Sequence, residues 1–391
     1  MMKQNWTYKR FDEVFDLQMG KTPDRHNPSY FQGENVWISI RDLGEKFISD
    51  SKEKISDKAL VDTGIRIVKK GTVIMSFKLT VGKCGIAAKD LYTNEAIMAF
   101  NLKDGIQLES SFLYYYLQGY HWQGANKAVM GITLNKATIS RHIVGIPPLP
   151  LQQSIVAELD NINNLINIKK SQLKDLDNLA QSIFYEMFGD PVENEKGWDV
   201  KRLGEVCSKI SDGPFGSNLK SEHYVDSGIR VIRLQNIGVR EFVDKDKVFI
   251  SMEHYESLKK YTCYPNDVVI GTLGEPNLRA CKIPPNINVS INKADCVHII
   301  PNNNMAVADY FIGLLNAPSF IKAKSNAVHG QTRGRISYGQ IKEFHIPLPP
   351  LPLQQKFAEK IEAIEKHKQI VNVTIKDLET LLASRMQFWF E

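Results

Sequence analysis

The sequence has little of what would mark a secreted, membrane-bound or metal-dependent protein. Cysteine is scarce. Cys84, Cys207, Cys263, Cys281 and Cys296 are odd in number and no two make a CxxC. That excludes a disulfide framework and a redox dithiol, and reads as reduced, partly buried thiols in a cytoplasmic protein. The nine histidines form neither HxxxH nor HExxH, so no metal site is expected. No run approaches 18 consecutive apolar residues, which argues against a membrane helix. The opening MMKQNWTYKRFDEVF lacks the apolar core of a secretory signal. Charge of one sign is also missing: 49 basic against 44 acidic residues leave +5, a weak bias that permits an anionic partner without demanding one.

Catalytic signatures are equally sparse. GxxxxGK[ST] is absent, so no ATPase motor is encoded, and GxSxG and HExxH are absent too. GTLGEPN at 271–277 is not GxGxxG and does not open a helix. NPSY at 27–30 resembles the (N/D)PP(Y/F) tetrapeptide of amino-methyltransferases. It has no FxGxG-like turn beside it and no counterpart later in the chain, so it reads as a proline turn. No paired acids with a lysine make a convincing nuclease centre. The chain reads as non-catalytic, with no catalytic residue and no bound cofactor.

What is present is a repeat. NWTYKRFDEVF (5–15) aligns with GWDVKRLGEVC (197–207), and VWISIRDL (36–43) with IRVIRLQNI (229–237). KKGTVIMS (69–76) aligns with YPNDVVIG (264–271), and SFLYYYLQGY (111–120) with DYFIGLLNAP (309–318). Both halves close on PPLPLQQ, at 147–153 and 349–355. A duplication with loop insertions behaves this way. It divides the chain into globular parts at 1–148 and 190–349 and helical parts at 149–189 and 350–391. The globular parts alternate short strand-like runs (WISI, IRIV, GTVIMSF; VIRL, KVFI, DVVIGTL, CVHII) with Gly-, Pro- and Asn-rich turns, which predicts an α+β fold.

The helical parts carry an apolar stripe at alternating spacings of four and three. The first runs Ile155, Leu159, Ile162, Ile166, Lys169, Leu173, Leu176, Ala180, Ile183 and Met187. The second runs Phe357, Ile361, Ile364, Lys368, Val371, Ile375, Leu378, Leu382, Arg385 and Trp389. Such a seam is that of a coiled coil, and the obvious partner of each copy is the other. An antiparallel pair would hold the two globular parts at opposite ends of a spacer of roughly 57 Å, at about 1.5 Å per residue. The pair would then have a pseudo-two-fold axis. Lys169 and Lys368 interrupt the stripe, either snorkelling or facing a partner. Ile168, Leu179, Phe184, Phe188, Met386, Phe388 and Phe390 lie off it and are expected to expose apolar surface to a partner, leaving the isolated chain prone to self-association.

The basic excess sits in the globular parts, +5 over 1–147 and +2 over 190–347, as a phosphate backbone would reward. Polar, glycine-rich loops supply candidate DNA contacts. In the first part these are Lys21, Thr22, Arg25, Arg41 and Lys78. In the second they are Ser211, Asp212, Ser217, Arg233, Gln235, Asn236, Gln331, Thr332 and Arg333. Arg, Gln, Asn and Ser/Thr read base edges, and Lys holds phosphates.

Three stretches carry a family resemblance: GKTPDRHNPSYFQGENVWISIRDL (20–43), SDGPFGSNLK with GIRVIRLQNIG, and GQTRGRISYGQIKEFHIPLPPLPLQQKF (330–357). With the doubled PPLPLQQ-helix junction, they resemble the specificity subunit of a type I restriction–modification system over essentially the whole length. The resemblance implies two similar target-recognition domains, each reading half of a bipartite, asymmetric sequence in double-stranded DNA. The helices would set the spacer and dock two methyltransferase subunits. Those subunits would methylate adenine N6 with S-adenosylmethionine, and two restriction and motor subunits would use ATP and Mg2+. Other readings remain: a complex for modification only, a chain with its own nuclease or methyltransferase activity, and a scaffold without a DNA role. Neighbouring genes, methyl transfer by the chain alone, and failure to bind any duplex would distinguish them.

Overall fold

In the computed structural model the described residues are 3–120, 122, 126–128, 131–326 and 335–391. They form two compact units, one of Met1–Lys169 with Thr374–Glu391, the other of Lys170–Val373.

The first unit is built on a five-stranded sheet with spatial order Phe15–Met19, Ile97–Leu102, Val73–Ser76, Cys84–Ala87, Phe47–Ile48. Its central strands read as unbroken apolar runs because both faces are covered. Alternate side chains point to opposite faces of a sheet. Val73 and Met75 therefore enter one core with Phe11, Phe100 and Phe112, while Ile74 enters another with Ile38 and Ile97. A three-stranded sheet follows, in which Asn35–Ile38 runs antiparallel to Lys54–Ile55 and parallel to Tyr92–Thr93. Strand Thr7–Arg10 closes the unit on Ile143–Ile146.

The second unit repeats this plan. Its four-stranded sheet has the order Cys207–Ser211, Cys296–Pro301, Val268–Gly271, Ala280–Lys282, with Val268 and Ile270 in one core and Val269 in another. In its five-stranded sheet, Ile229–Ile232 is antiparallel to Val248–Ile250 and parallel to Ser290–Asn292. Val200–Arg202 closes on His345–Pro347.

One strand expected from the sequence does not form. At IRIV (65–68) only Val68 bridges Leu91. The Gln18 side chain donates to the carbonyls of Arg66 and Ile67 instead, so these are not free for a ladder.

The long helices are Leu149–Phe188 and Leu351–Phe390. In the first unit the start of one lies against the end of the other: Arg385 and Trp389 both bond Glu158, Trp389 Nε1 at 2.9 Å. In the second unit Phe357, near the start of its helix, packs edge-on against Phe184 and Phe188 at the end of the other. Within each unit the packing is therefore antiparallel. Seam residues Ile155, Leu159, Ile162, Ile166, Phe357, Ile364, Val371 and Ile375 are buried, and Leu173, Leu176, Ile183, Ile361, Leu378 and Leu382 half-buried. Lys368 Nζ lies 2.9 Å from Asp177 and 3.0 Å from Glu365, so this break in the stripe is an ion-paired one.

Phe184, Phe188, Met386 and Phe390 correct the expectation of an exposed outer face. Phe184 and Phe188 are fully buried against Tyr310, and Phe390 packs on Phe112 and Tyr116 with Met386 beside it. Near its ends each helix meets globular structure as well as its partner helix, which turns flanking positions inward. Gly313 permits this approach, since a Cβ there would come 2.4 Å from the Phe184 ring. Ile168, Leu179 and Phe388 do stay exposed.

Candidate nucleic-acid interface

In each unit the loop that follows the first core-sheet strand, Phe15–Met19 or Cys207–Ser211, is threaded across the carboxyl end of the parallel strand pair. Glycine makes the crossing possible. A Cβ on Gly20 would come 2.1 Å from the Thr93 carbonyl oxygen, and one on Gly213 would come 2.4 Å from that of Asn292. Lys21 N donates to Thr93 O at 3.0 Å, and the indole of Trp37 donates to Lys21 O at 3.1 Å. The backbone of GKTP is thereby fixed, with Lys21 exposed, Thr22 half-buried and Pro23 buried.

In the first unit Arg25 lays its guanidinium over Phe31, 4.5 Å from the ring centroid, and 5.2 Å from that of Trp37. Its Nη1 and Nη2 reach the two oxygens of Glu53 at 2.8 and 3.1 Å. Arg41 bonds the same carboxylate. The two guanidiniums hold the Glu53 carboxyl below its usual range, and Glu53 raises Arg25 in return. Both arginine side chains are about half exposed, 52% and 49%. Exposed ion pairs are weak, so a phosphate or base edge can compete for these arginines at small cost. Thr22 bonds Glu95, and Lys21 Nζ donates to Thr63 O at 3.0 Å. Lys78 lies on a different turn, between Val73–Ser76 and Cys84–Ala87, with its ammonium 5.5 Å from the Phe77 ring.

In the second unit Arg233 opens the turn Leu234–Asn236, bonds Asp246 and lies 5.8 Å from the Tyr224 ring. Lys293 Nζ donates to the Tyr224 hydroxyl at 2.8 Å. Ser217 and Gln235 are exposed, and Ser211 is half-buried at the end of its strand. Burial pushes the Asp212 carboxyl up, against the pull of Arg335. Asn236 leaves the set of contact candidates. It is fully buried, its amide donates to Val243 O and Asp246 O at 2.9 Å, and its oxygen accepts from Arg233 N. Its task is to cap the turn that presents Arg233, as Asp42 caps the turn carrying Arg41. Gln331, Thr332 and Arg333 lie outside the described residues.

Glu53, Tyr224, Lys293 and Asp246 were not legible as part of this surface. No fixed spacing links them to the arginine or loop they serve, and acids in a basic patch carry no motif. Among the described residues no His, Cys, Asp and Glu groups converge as a metal site, and no helix is long and apolar enough to cross a membrane. The cysteines are unpaired, and burial pushes the Cys207 thiol up to about 12, away from nucleophilic chemistry.

Residues 3–178 and 195–380 each match the sequence pattern of the type I restriction modification DNA specificity domain. The chain is 25% identical to the type I restriction enzyme MjaIX specificity subunit of Methanocaldococcus jannaschii, over 98% of this chain and 93% of that protein. It is 20% identical to the MjaVIII specificity subunit of the same organism, over 93% and 86%. Among solved structures, the type I restriction–modification S subunit of M. genitalium aligns at TM-score 0.52 and 16% identity, covering 98% of this chain and 95% of that one. A chain from work on complex assembly and conformational transition of the type I R-M system aligns at TM-score 0.62 and 17% identity, covering 100% and 99%.

Proposed function

The chain belongs to the type I restriction–modification DNA specificity family, and on that premise we propose that each unit reads one half of a bipartite, asymmetric target in double-stranded DNA. The observation that carries this reading is the repetition of the presenting device. In both units a glycine-threaded loop and a capped turn sit at the carboxyl end of a parallel strand pair, and both offer arginine from that turn.

The two devices share a backbone plan and differ in side chains: Arg25, Arg41 and Glu53 in one, Arg233, Tyr224 and Lys293 in the other. Different side chains on one scaffold suit two different half-sites. The antiparallel helices would fix the number of unread base pairs between them. Their exposed Ile168, Leu179 and Phe388 suit docking of methyltransferase subunits. In this reading the chain performs no chemistry itself. Adenine methylation with S-adenosylmethionine, and ATP- and Mg2+-dependent translocation and cleavage, belong to two methyltransferase and two restriction subunits around it.

Sequencing DNA methylation in the host with and without the gene tests the reading. A split motif with a fixed gap, lost on deletion, is the expected result. A continuous motif, or no change, would overturn it.

A further inference from the structure

The turn that presents arginine in each unit is followed, after a glycine, by a cation, which in the first unit reaches a long helix. In the first unit the stretch is DLGEK (42–46) and in the second NIGVR (236–240). Lys46 Nζ reaches both carboxylate oxygens of Asp160, at 2.6 and 2.8 Å. The Tyr115 hydroxyl bonds the same carboxylate, and Asn163 Nδ2 donates to that hydroxyl at 3.2 Å. The Lys46 side chain is only 17% exposed and its ammonium lies 4.9 Å from the Tyr115 ring. A lysine held by two oxygens and an aromatic face in a half-dry site has one position.

The path from this anchor to the reading surface is short and stiff. Asp42 Oδ2 accepts from Ser39 N at 2.8 Å and from the Ser39 hydroxyl at 2.6 Å, and its Oδ1 from Lys52 N at 3.0 Å. The turn carrying Arg41 is thus locked on one side, and Lys46 ties the chain to the helix on the other. In the second unit the counterpart Arg240, at φ +61°, is half-buried, with its backbone N–H donating to Ala280 O at 3.0 Å.

We propose that Lys46 is a positioning residue. By clamping the reading turn to Asp160 of the spacer helix, it sets the angle at which the first head meets DNA, and so how strictly the gap between half-sites is measured. The inference rests on the bipartite reading above. It adds that spacer stringency resides in a side-chain contact between head and helix as well as in helix length.

The test uses the full chain assembled with its methyltransferase subunits. Methylation rates are measured on duplexes carrying the native gap and gaps one base pair longer or shorter, and on duplexes with a mismatch in either half-site. Lys46→Met and Asp160→Asn should each lower the preference for the native gap about tenfold, as expected for loss of a charge-assisted contact. Discrimination against half-site mismatches should stay within about twofold, a change of under half a kcal/mol. Lys46→Arg should restore gap preference.

A general loss of folding would lower the rate on all duplexes alike and leave both preferences unchanged, whereas an equal fall in both kinds of discrimination overturns the proposal. Unchanged gap preference in both variants, checked to melt as the parent does, overturns it as well. If the unaltered complex itself ignores gap length, the bipartite reading fails rather than the role of Lys46.

Discussion

Gln152 and Gln354 make the same three hydrogen bonds, one set in each unit. Gln152 accepts from Glu109 N at 2.8 Å and donates to Gln107 O and Pro147 O, both at 2.9 Å. Gln354 accepts from Val307 N at 3.1 Å and donates to Met305 O and Pro349 O at 3.1 and 2.8 Å. Glu109 and Val307 each cap the helix that packs on the core sheet. Both glutamines are fully buried. Each one therefore joins the proline elbow, the long helix and the head at a single amide.

Leucine at either position would strand three backbone groups, one of them in a fully buried contact. We expect Gln152→Leu and Gln354→Leu each to destabilise their unit by about 2–4 kcal/mol. Denaturant titration reads this directly, and a loss under half a kcal/mol would show that the amide is not the lock.

The Glu158 contact with Arg385 and Trp389 gives a pH-dependent term. Arg385, then Trp389, hold the Glu158 carboxyl below its ordinary 4.5. A depressed carboxylate stabilises the folded state above its unfolded pKa and loses that contribution as pH falls through its folded value. The melting temperature of Glu158→Gln should fall short of the parent's at pH 7, and the gap should narrow below pH ~4.5. A gap independent of pH would mean the carboxylate's charge plays no part.

Arg25→Ala and Arg233→Ala should each cost the assembled complex about 1–3 kcal/mol in DNA binding. Titrations on cognate and mismatched duplexes at several salt concentrations separate the roles. Relaxed selectivity at one position marks a base contact, while a uniform loss with a shallower salt slope marks a phosphate contact. Binding unchanged on every duplex would remove that arginine from the interface.

Inserting one heptad into each long helix keeps the seam in register and adds about 10 Å at 1.5 Å per residue. At 3.4 Å per base-pair step that is about three base pairs. Methylome sequencing should show a correspondingly longer gap between unchanged half-sites. The same gap as the parent would rule the helices out as the ruler.

The sequence by itself determined the duplication, the two long helices and their seam. Heptad spacing is set by the helical repeat alone, so Ile155 to Ile166 and Phe357 to Ile375 declare their buried face locally. It also marked 20–27, 40–43, 211–222 and 233–236 as polar loops, because composition is a local property; that a glycine crosses a strand end and that each turn is capped came with the structure. Only the tertiary structure decided which face the helix ends bury. Phe184, Phe188 and Phe390 look like surplus apolar surface until the cores around Tyr310 and Phe112 are placed against them. It likewise decided that Asn236 caps rather than contacts, that Glu53 gathers Arg25 and Arg41, and that Lys46 meets Asp160. Each of these pairings is fixed by how sheets and helices pack, and electrostatic or apolar complementarity between distant segments leaves no periodic trace in the chain.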